Sequence, residues 1–157
     1  MAGRLRGNDM KPDDFIAAIA PAAQASAKVT RIPASFTVAQ AALESSWGAL
    51  APGHNLFGIK ADASWHGPVV MENTHEHLQG RDVAIIDAFR AYPDWLGSIA
   101  DHAQFLTSNP RYRSAFAYTS GATFAKAIAE AGYATDPNYA AKLISIIKSH
   151  NLSALDG

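Results

Sequence analysis

The stretch AQAALESSWG, Ala39–Gly48, places a single carboxylate, Glu44, among small and apolar residues. From Pro33 onward the apolar residues recur at helical spacing, so we predict a helix that begins there and ends at the glycine of this stretch. Gln40, Glu44 and Trp47 would share one face of that helix at spacings of four and three. An indole beside a carboxylate favours the protonated form, which a general acid needs near neutral pH.

The flanking sequence predicts an α+β protein with segregated elements. A first helix opens with Pro12 and two aspartates, and residues 65–92 alternate around Gln79 and Gly80 as an antiparallel hairpin does. Four amphipathic or short helical segments follow Pro93, giving five or six helices with one hairpin inserted after the second. We predict a disordered segment over residues 1–11 and a single domain over 12–157.

Composition excludes several classes of function. The 157 residues are 48% hydrophobic, carry a formal net charge of -1 and include no cysteine. A thiolate nucleophile and a cysteine-ligated metal are therefore excluded. Without a basic excess we expect no nucleic-acid partner, and without an apolar run of about 18 residues we expect no membrane insertion. We also predict no cofactor and a monomer.

Other polar residues leave alternatives open. Glu72 and Glu76 lie four apart in the predicted hairpin and so on one face, and either could be the second carboxylate of a glycosidase. His75 and His77 lack an ordered set of further ligands, so we interpret them as surface residues and predict no metal site. The aromatic residues that flank the turn capped by Asp136 are either core residues or part of a site.

Seven motifs, in this order and at this approximate spacing, resemble the endo-β-N-acetylglucosaminidases of glycoside hydrolase family 73. The resemblance covers about residues 12–152 and is greatest for the peptidoglycan-hydrolase domain of the proteobacterial flagellar rod protein. The motifs are AQAALESSWG (39–48), NLFGIK (55–60), W-x-G (65–67), THE (74–76), FRAY (89–92), NPRY (109–112) and AGYATDPNYAAKL (131–143).

This resemblance implies a lysozyme-like helical lobe and a hairpin lobe, with a cleft between them for a peptidoglycan strand. The implied reaction is hydrolysis of the β-1,4 bond between N-acetylglucosamine and N-acetylmuramic acid, with Glu44 as the general acid. A T-x-E pattern on the family's hairpin selects Glu76 over Glu72 as the second catalytic carboxylate.

The resemblance also implies substrate contacts. Tyr133 and Tyr139 match tyrosines that line the family's cleft, and Trp47 and Phe57 would form its floor and the apolar setting of the acid. The chain departs from the family pattern at three positions: Ser46 is usually glycine, His54 replaces a common asparagine, and His77 replaces a frequent tyrosine.

Alternatives remain for both function and location. A lytic transglycosylase and a non-catalytic wall-binding module are compatible with the same motifs. We expect peptidoglycan strands as the partner, with flagellar rod or export components as further candidates. The substrate implies the periplasm or cell wall. No export signal is visible, and flagellar export, a phage lysin and a fragment of a longer chain all stay open.

Overall fold

The computed structural model describes residues 10–157, except the side chains of residues 76 and 77. It confirms the predicted α+β class, with a hairpin inserted after the second helix. The elements are α1 (Pro12–Thr30), α2 (Ala34–Ser45), β1 (Val69–Leu78), β2 (Arg81–Arg90), α3 (Trp95–Ser108), α4 (Gly121–Glu130) and α5 (Tyr139–Ser149), with 3-10 segments at Pro52–His54, Pro110–Ala117 and Leu152–Asp156.

Helix α2 lies at the centre of the helical lobe. Every residue from Ala34 to Ala42 is buried, including the polar side chains of Thr37 and Gln40. Helices α1, α4 and α5 pack against it, and its alanines let their side chains approach its backbone closely. A helix enclosed on most sides is held by tertiary packing, so residues near its end have a fixed position.

Helix α2 ends at Ser45, three residues earlier than predicted. Ser46 and Trp47 both adopt left-handed backbone conformations, with φ of 49° and 59°. The chain therefore turns away from the helix, and the prediction that Trp47 extends the face of Gln40 and Glu44 was wrong. Glycine adopts a left-handed conformation at little cost, which gives a physical reason for glycine at the family position that Ser46 occupies.

The hairpin forms as predicted around Gln79 and Gly80. Both residues have positive φ, 51° and 76°, as the two central residues of a type I′ turn require. The antiparallel register runs from Val69 opposite Arg90 to Leu78 opposite Arg81. The sheet that the described residues form has only these two strands, and hydrophobic side chains on them remain exposed.

The NLFGIK segment joins the hairpin to the helical lobe. Its Leu56, Phe57 and Ile59 are buried in the core. The Asn55 amide donates to the carbonyl oxygens of Ile59 and Arg90, both at 2.9 Å, and its own oxygen accepts from the backbone of Phe57 and Ile59. One buried side chain thus fixes the loop and the base of β2, and the loop then forms one wall of a cleft.

The turn before α5 differs from the predicted cap. Asn138 occupies the N-cap position that the sequence suggested for Asp136. The Asp136 carboxylate instead accepts from the Asn138 backbone N–H at 2.8 Å and pairs with Lys142. The turn is ordered by this local contact, so Tyr139 begins α5 in a defined position.

Two expectations concern the chain's ends and surroundings. Residues 1–9 of the segment predicted to be disordered lie outside the described residues, whereas Met10 packs against the core. Within residues 10–157 no helix combines the length and the apolar character needed to cross a membrane.

Candidate active site

Glu44 lies in the last turn of α2 with its carboxylate at the edge of a cavity. Its Oε1 accepts a hydrogen bond from the Tyr139 hydroxyl at 2.9 Å. Gly58, which has φ of 65°, lies beside Oε2: a Cβ placed on it would be 3.4 Å from that oxygen, at van der Waals contact. Part of Glu44 faces solvent, yet desolvation of its carboxylate raises the pKa above the usual 4.5, and the Tyr139 hydrogen bond opposes that rise.

A cavity of about 290 Å³ separates Glu44 from the hairpin. Its polar lining groups come from both sides: Glu44 and Asn55 from the helical lobe, and Glu72, Asn73 and Thr74 from β1. Leu50, Pro52, Gly58 and Phe89 complete the lining. The cavity therefore has a proton-donor candidate on one wall and a second carboxylate on the other, with apolar surface between them.

The two hairpin glutamates occupy different places along one strand. Glu72 is half-buried, lines the cavity and lies opposite Asp87 in the sheet register. Glu76 lies opposite Val83, four residues nearer the turn, and its side chain is outside the described part of the structure. The same strand face carries both residues, and their Cα atoms are about 13 Å apart along the strand. The predicted role of Glu76 stays a prediction.

Tyr133 and Tyr139 stand side by side next to Glu44. Their rings are nearly parallel, with an interplanar angle of 14° and centroids 6.0 Å apart. The Tyr133 hydroxyl donates to the Phe57 carbonyl oxygen at 3.1 Å, and burial raises the pKa of both phenols well above the usual value of 10.0. Both hydroxyls therefore remain protonated donors at any working pH.

The two residues predicted to form the floor have other positions. Trp47 packs edge-on against Phe15 and His150, with centroid distances of 6.0 and 4.8 Å, and does not line the Glu44 cavity. The Phe57 ring is 1% exposed and stacks on His102, so it supports the site from beneath and has no surface for a glycan. Their predicted roles as direct substrate contacts gain no support from these positions.

Sequence inspection missed His102, which is 1% exposed and contacts Gln40. Its ring lies 3.7 Å from that of Phe57, at an interplanar angle of 10°. A signal was present: His102 falls three residues after Ile99 on the apolar face of α3. A histidine on a buried face needs a polar partner, but the sequence does not identify which.

The histidines of the hairpin region do not form a metal site that the structure describes. His75 is exposed, and among the residues with described side chains no group of three or more His, Asp and Glu is placed to hold an ion. His77 lies outside that set.

Comparison with known proteins identifies the family. A family model described as mannosyl-glycoprotein endo-beta-N-acetylglucosaminidase matches residues 20–152. The peptidoglycan hydrolase FlgJ of Salmonella typhimurium is 39% identical over 142 residues, which cover 86% of this chain and 45% of that protein. The chain thus belongs to the glucosaminidase family, glycoside hydrolase family 73, as its motifs indicated.

Solved structures confirm the lysozyme-like α+β fold that the resemblance implied. A peptidoglycan hydrolase mutant from Sphingomonas sp. A1 matches with a TM-score of 0.80 and 39% identity, covering 90% of this chain and 96% of that one. The catalytic domain of the autolysin Auto from Listeria monocytogenes matches with a TM-score of 0.80 and 31% identity, covering 96% and 90%. The chain spans about half the length of the FlgJ relatives it matches.

Proposed function

We propose that this chain hydrolyses the β-1,4 bond between N-acetylglucosamine and N-acetylmuramic acid in bacterial peptidoglycan, with Glu44 as the general acid. The observation that carries the proposal is the placement of Glu44: it lines the cavity that faces the hairpin, and its Oε1 accepts a hydrogen bond from the Tyr139 hydroxyl. Desolvation, which raises the pKa of this carboxyl, supports the same role. Family membership and the peptidoglycan-hydrolase names of similar proteins support the choice of substrate.

In the proposed first half of the reaction, Glu44 donates the proton on Oε2 to the bridging oxygen. The bond between that oxygen and C1 of N-acetylglucosamine breaks, and its electron pair stays on the oxygen, which leaves as the 4-hydroxyl of N-acetylmuramic acid. Positive charge develops at C1 and the ring oxygen. Glu44 becomes a carboxylate, and the Tyr139 hydroxyl at 2.9 Å stabilises the new charge.

In the second half, water adds to C1 and a carboxylate on β1 accepts its proton. Family likeness favours Glu76 for this role, while Glu72 is the hairpin carboxylate that lines the cavity with Glu44. An alternative is that the acetamide of the substrate attacks C1 and the hairpin carboxylate orients it. Water attack inverts the anomeric centre and acetamide assistance retains it, so the anomer released first distinguishes them.

Digestion of purified peptidoglycan, followed by borohydride reduction and mass spectrometry of the fragments, tests the function. We expect new reducing ends on N-acetylglucosamine, and a loss of at least about 10³-fold in rate for Glu44→Gln, which keeps the side chain's size but cannot donate this proton. Reducing ends on N-acetylmuramic acid would assign the other glycosidic bond, and anhydro ends would assign a lytic transglycosylase. Wall binding without cleavage by the wild-type chain would leave only a binding module.

The place of action follows from the proposed substrate. We infer that the chain works in the periplasm or the cell wall, and its resemblance to flagellar rod proteins makes a rod or export component a candidate partner. The test is to add the chain to living cells and, separately, to purified walls. Digestion of the purified walls shows intrinsic activity, and digestion that occurs only in cells shows a need for such a partner.

A further inference from the structure

A line of three hydrogen bonds runs from the core of the helical lobe to Glu44. His102 Nε2 lies 2.6 Å from Oε1 of Gln40, the Gln40 amide nitrogen lies 2.9 Å from the Tyr139 hydroxyl, and that hydroxyl lies 2.9 Å from Oε1 of Glu44. Gln40 is 0% exposed, and Tyr139 is 4% exposed. The line joins α3, α2 and α5, so three helices meet at one proton donor.

The direction of each bond follows from the chemistry of its ends. Burial lowers the pKa of His102 to about 3, so the ring is neutral and carries one hydrogen. The Gln40 oxygen only accepts, so that hydrogen is on Nε2. The Gln40 amide then donates to the Tyr139 oxygen, and the phenolic hydrogen is left to point at Glu44. Nδ1 of His102 then carries a lone pair, and it is buried with no hydrogen-bond partner among the residues that the structure describes.

The unpartnered Nδ1 is informative because buried polar atoms seldom lack a hydrogen bond. The chain tolerates this cost while stacking the ring of His102 on Phe57, and the Phe36 ring is also nearly parallel to it, with a centroid distance of 6.3 Å and an interplanar angle of 21°. The aromatic contacts fix the plane of the imidazole, so its Nε2–H has a single direction. An apolar residue in place of His102 would have no unsatisfied polar atom of its own. It would, however, leave the Gln40 oxygen without a hydrogen bond.

We propose that His102 and Gln40 are positioning residues that fix the Tyr139 hydrogen on Oε1 of Glu44, so that the catalytic proton is held on Oε2. Oε2 is the oxygen beside Gly58, and Glu44 and Gly58 both line the cavity. Without this order the carboxyl proton could reside on Oε1, facing the phenol and away from the substrate. The inference rests on the proposed function for its consequence in catalysis, but the hydrogen-bond order is a property of the folded chain alone.

The groups that face Glu44 allow a change in the line of hydrogen bonds to be measured as a change in the pKa of Glu44. Tyr139 approaches it from the start of α5 and Tyr133 from the segment before that helix. Glu72 faces it from β1 across the cavity. Both phenols keep raised pKa values and do not ionise with Glu44. A donor fixed on Oε1 lowers the Glu44 pKa, so disturbing the line of hydrogen bonds raises it.

Two variants of His102 separate order from packing. His102→Phe keeps a planar ring against Phe57 but has no donor, and His102→Gln restores an N–H at similar reach. For His102→Phe we expect the alkaline limb of kcat to move up by about 0.5–1 pH unit, since a hydrogen bond to a carboxylate is weakened. We expect kcat to fall about tenfold with KM unchanged. His102→Gln should recover most of both.

The core variant Ile19→Val, on α1, provides the structural control because it removes a buried methylene without touching the line of hydrogen bonds. It should lower the melting temperature and leave the pH limb in place. The proposal would be overturned if the alkaline limb of the kcat profile in His102→Phe stayed at its wild-type pH. It would also be overturned if the limb in His102→Gln lay at the same pH as in His102→Phe.

Two measurements by NMR do not depend on activity. The side-chain nitrogen shifts of His102 in the wild-type chain should report hydrogen on Nε2 and none on Nδ1 from pH 4 to 9, and the opposite tautomer would overturn the proposal even if His102→Phe fails to fold. The carboxyl carbon of Glu44 should titrate at higher pH in His102→Phe than in the wild type. If the wild type does not cleave walls, the proposed function fails, and these titrations still decide the hydrogen-bond order.

Discussion

Glu44 and Glu72 line one cavity from opposite walls, and the two walls are held in place to very different degrees. Glu44 ends a helix whose residues Ala34–Ala42 are all buried, and its carboxylate is hydrogen-bonded to a buried phenol. Glu72 lies on a two-stranded ribbon on which Met71 and Ile86 are 56% and 69% exposed. An isolated hairpin is marginally stable in water, so its position depends on its anchored base.

This difference assigns different tasks to the two walls. The proposed proton donation needs a donor fixed relative to the scissile bond, and the buried helix gives Glu44 such a position. The proposed polymeric substrate must also enter and leave, and an element attached mainly at one end can move without disturbing the core. The base of the hairpin is fixed by Asn55 and by Arg90, whose guanidinium lies 3.0 Å from Asp101, while the turn at Gln79 lies at the far end. We therefore expect the helical wall to stay fixed and the hairpin wall to adjust.

The largest effect that tests this contrast concerns the two hairpin carboxylates. We expect Glu76→Gln to lower kcat on peptidoglycan by about 10²–10³-fold, because it removes the base that the proposed mechanism assigns to the proton of water. Glu72→Gln, the matched change on the same strand face, should lower kcat by less than about tenfold. Initial rates on purified walls provide the measurement.

A larger loss for Glu72→Gln would mean that the cavity as described already holds both catalytic carboxylates. The hairpin would then need no movement towards Glu44, and the contrast between a fixed and an adjusting wall would lose its functional meaning. Equal large losses would assign both carboxylates to the reaction.

The second effect concerns stability and uses the same substitution in each wall. Ile128 in α4 is 0% exposed, whereas Ile86 in β2 is 69% exposed. Ile128→Ala should lower the free energy of unfolding by about 3–4 kcal/mol, because it removes buried methyl groups and leaves a cavity. Ile86→Ala should lower it by about 0.5 kcal/mol or less. Denaturant unfolding of both variants measures the difference, and similar losses would show that the hairpin is as firmly packed as the helices.

The contrast between the walls also decides what the sequence could predict. Helical spacing around Phe15 and Ile19 and the Gln79–Gly80 turn are local signals, and the structure bears out the elements they predicted. Glu44 stood out because it was the single acid in an apolar helix. The end of α2 could not be predicted, because Ser46 adopts a left-handed conformation that serine seldom has.

The partners of Glu44 were beyond local sequence for a different reason. Tyr139 is 95 positions from Glu44, and His102 is 62 positions from Gln40. Such contacts depend on how three helices pack, and periodicity within one helix carries no information about that. Family motifs singled out Tyr139 as a substrate contact and not as a partner of Glu44, whereas His102 belongs to none of the quoted motifs and was therefore missed.

The smallest effect links the pKa of Glu44 to stability. A carboxyl whose pKa is higher in the folded state than in the unfolded state binds its proton more tightly when folded, so stability is lost as pH rises above the unfolded value near 4.5. The loss grows up to the folded pKa and is constant above it.

Glu44→Gln has no such proton. We therefore expect its free energy of unfolding, compared with that of the wild type, to be higher at pH 8 than at pH 4. The gain should be smaller than the loss in Ile128→Ala, since solvent still reaches the Glu44 residue. Denaturant unfolding of both proteins at the two pH values measures it. A difference that does not change with pH would mean that Glu44 is not desolvated by the helical wall, and the contrast with the hairpin would then rest on packing alone.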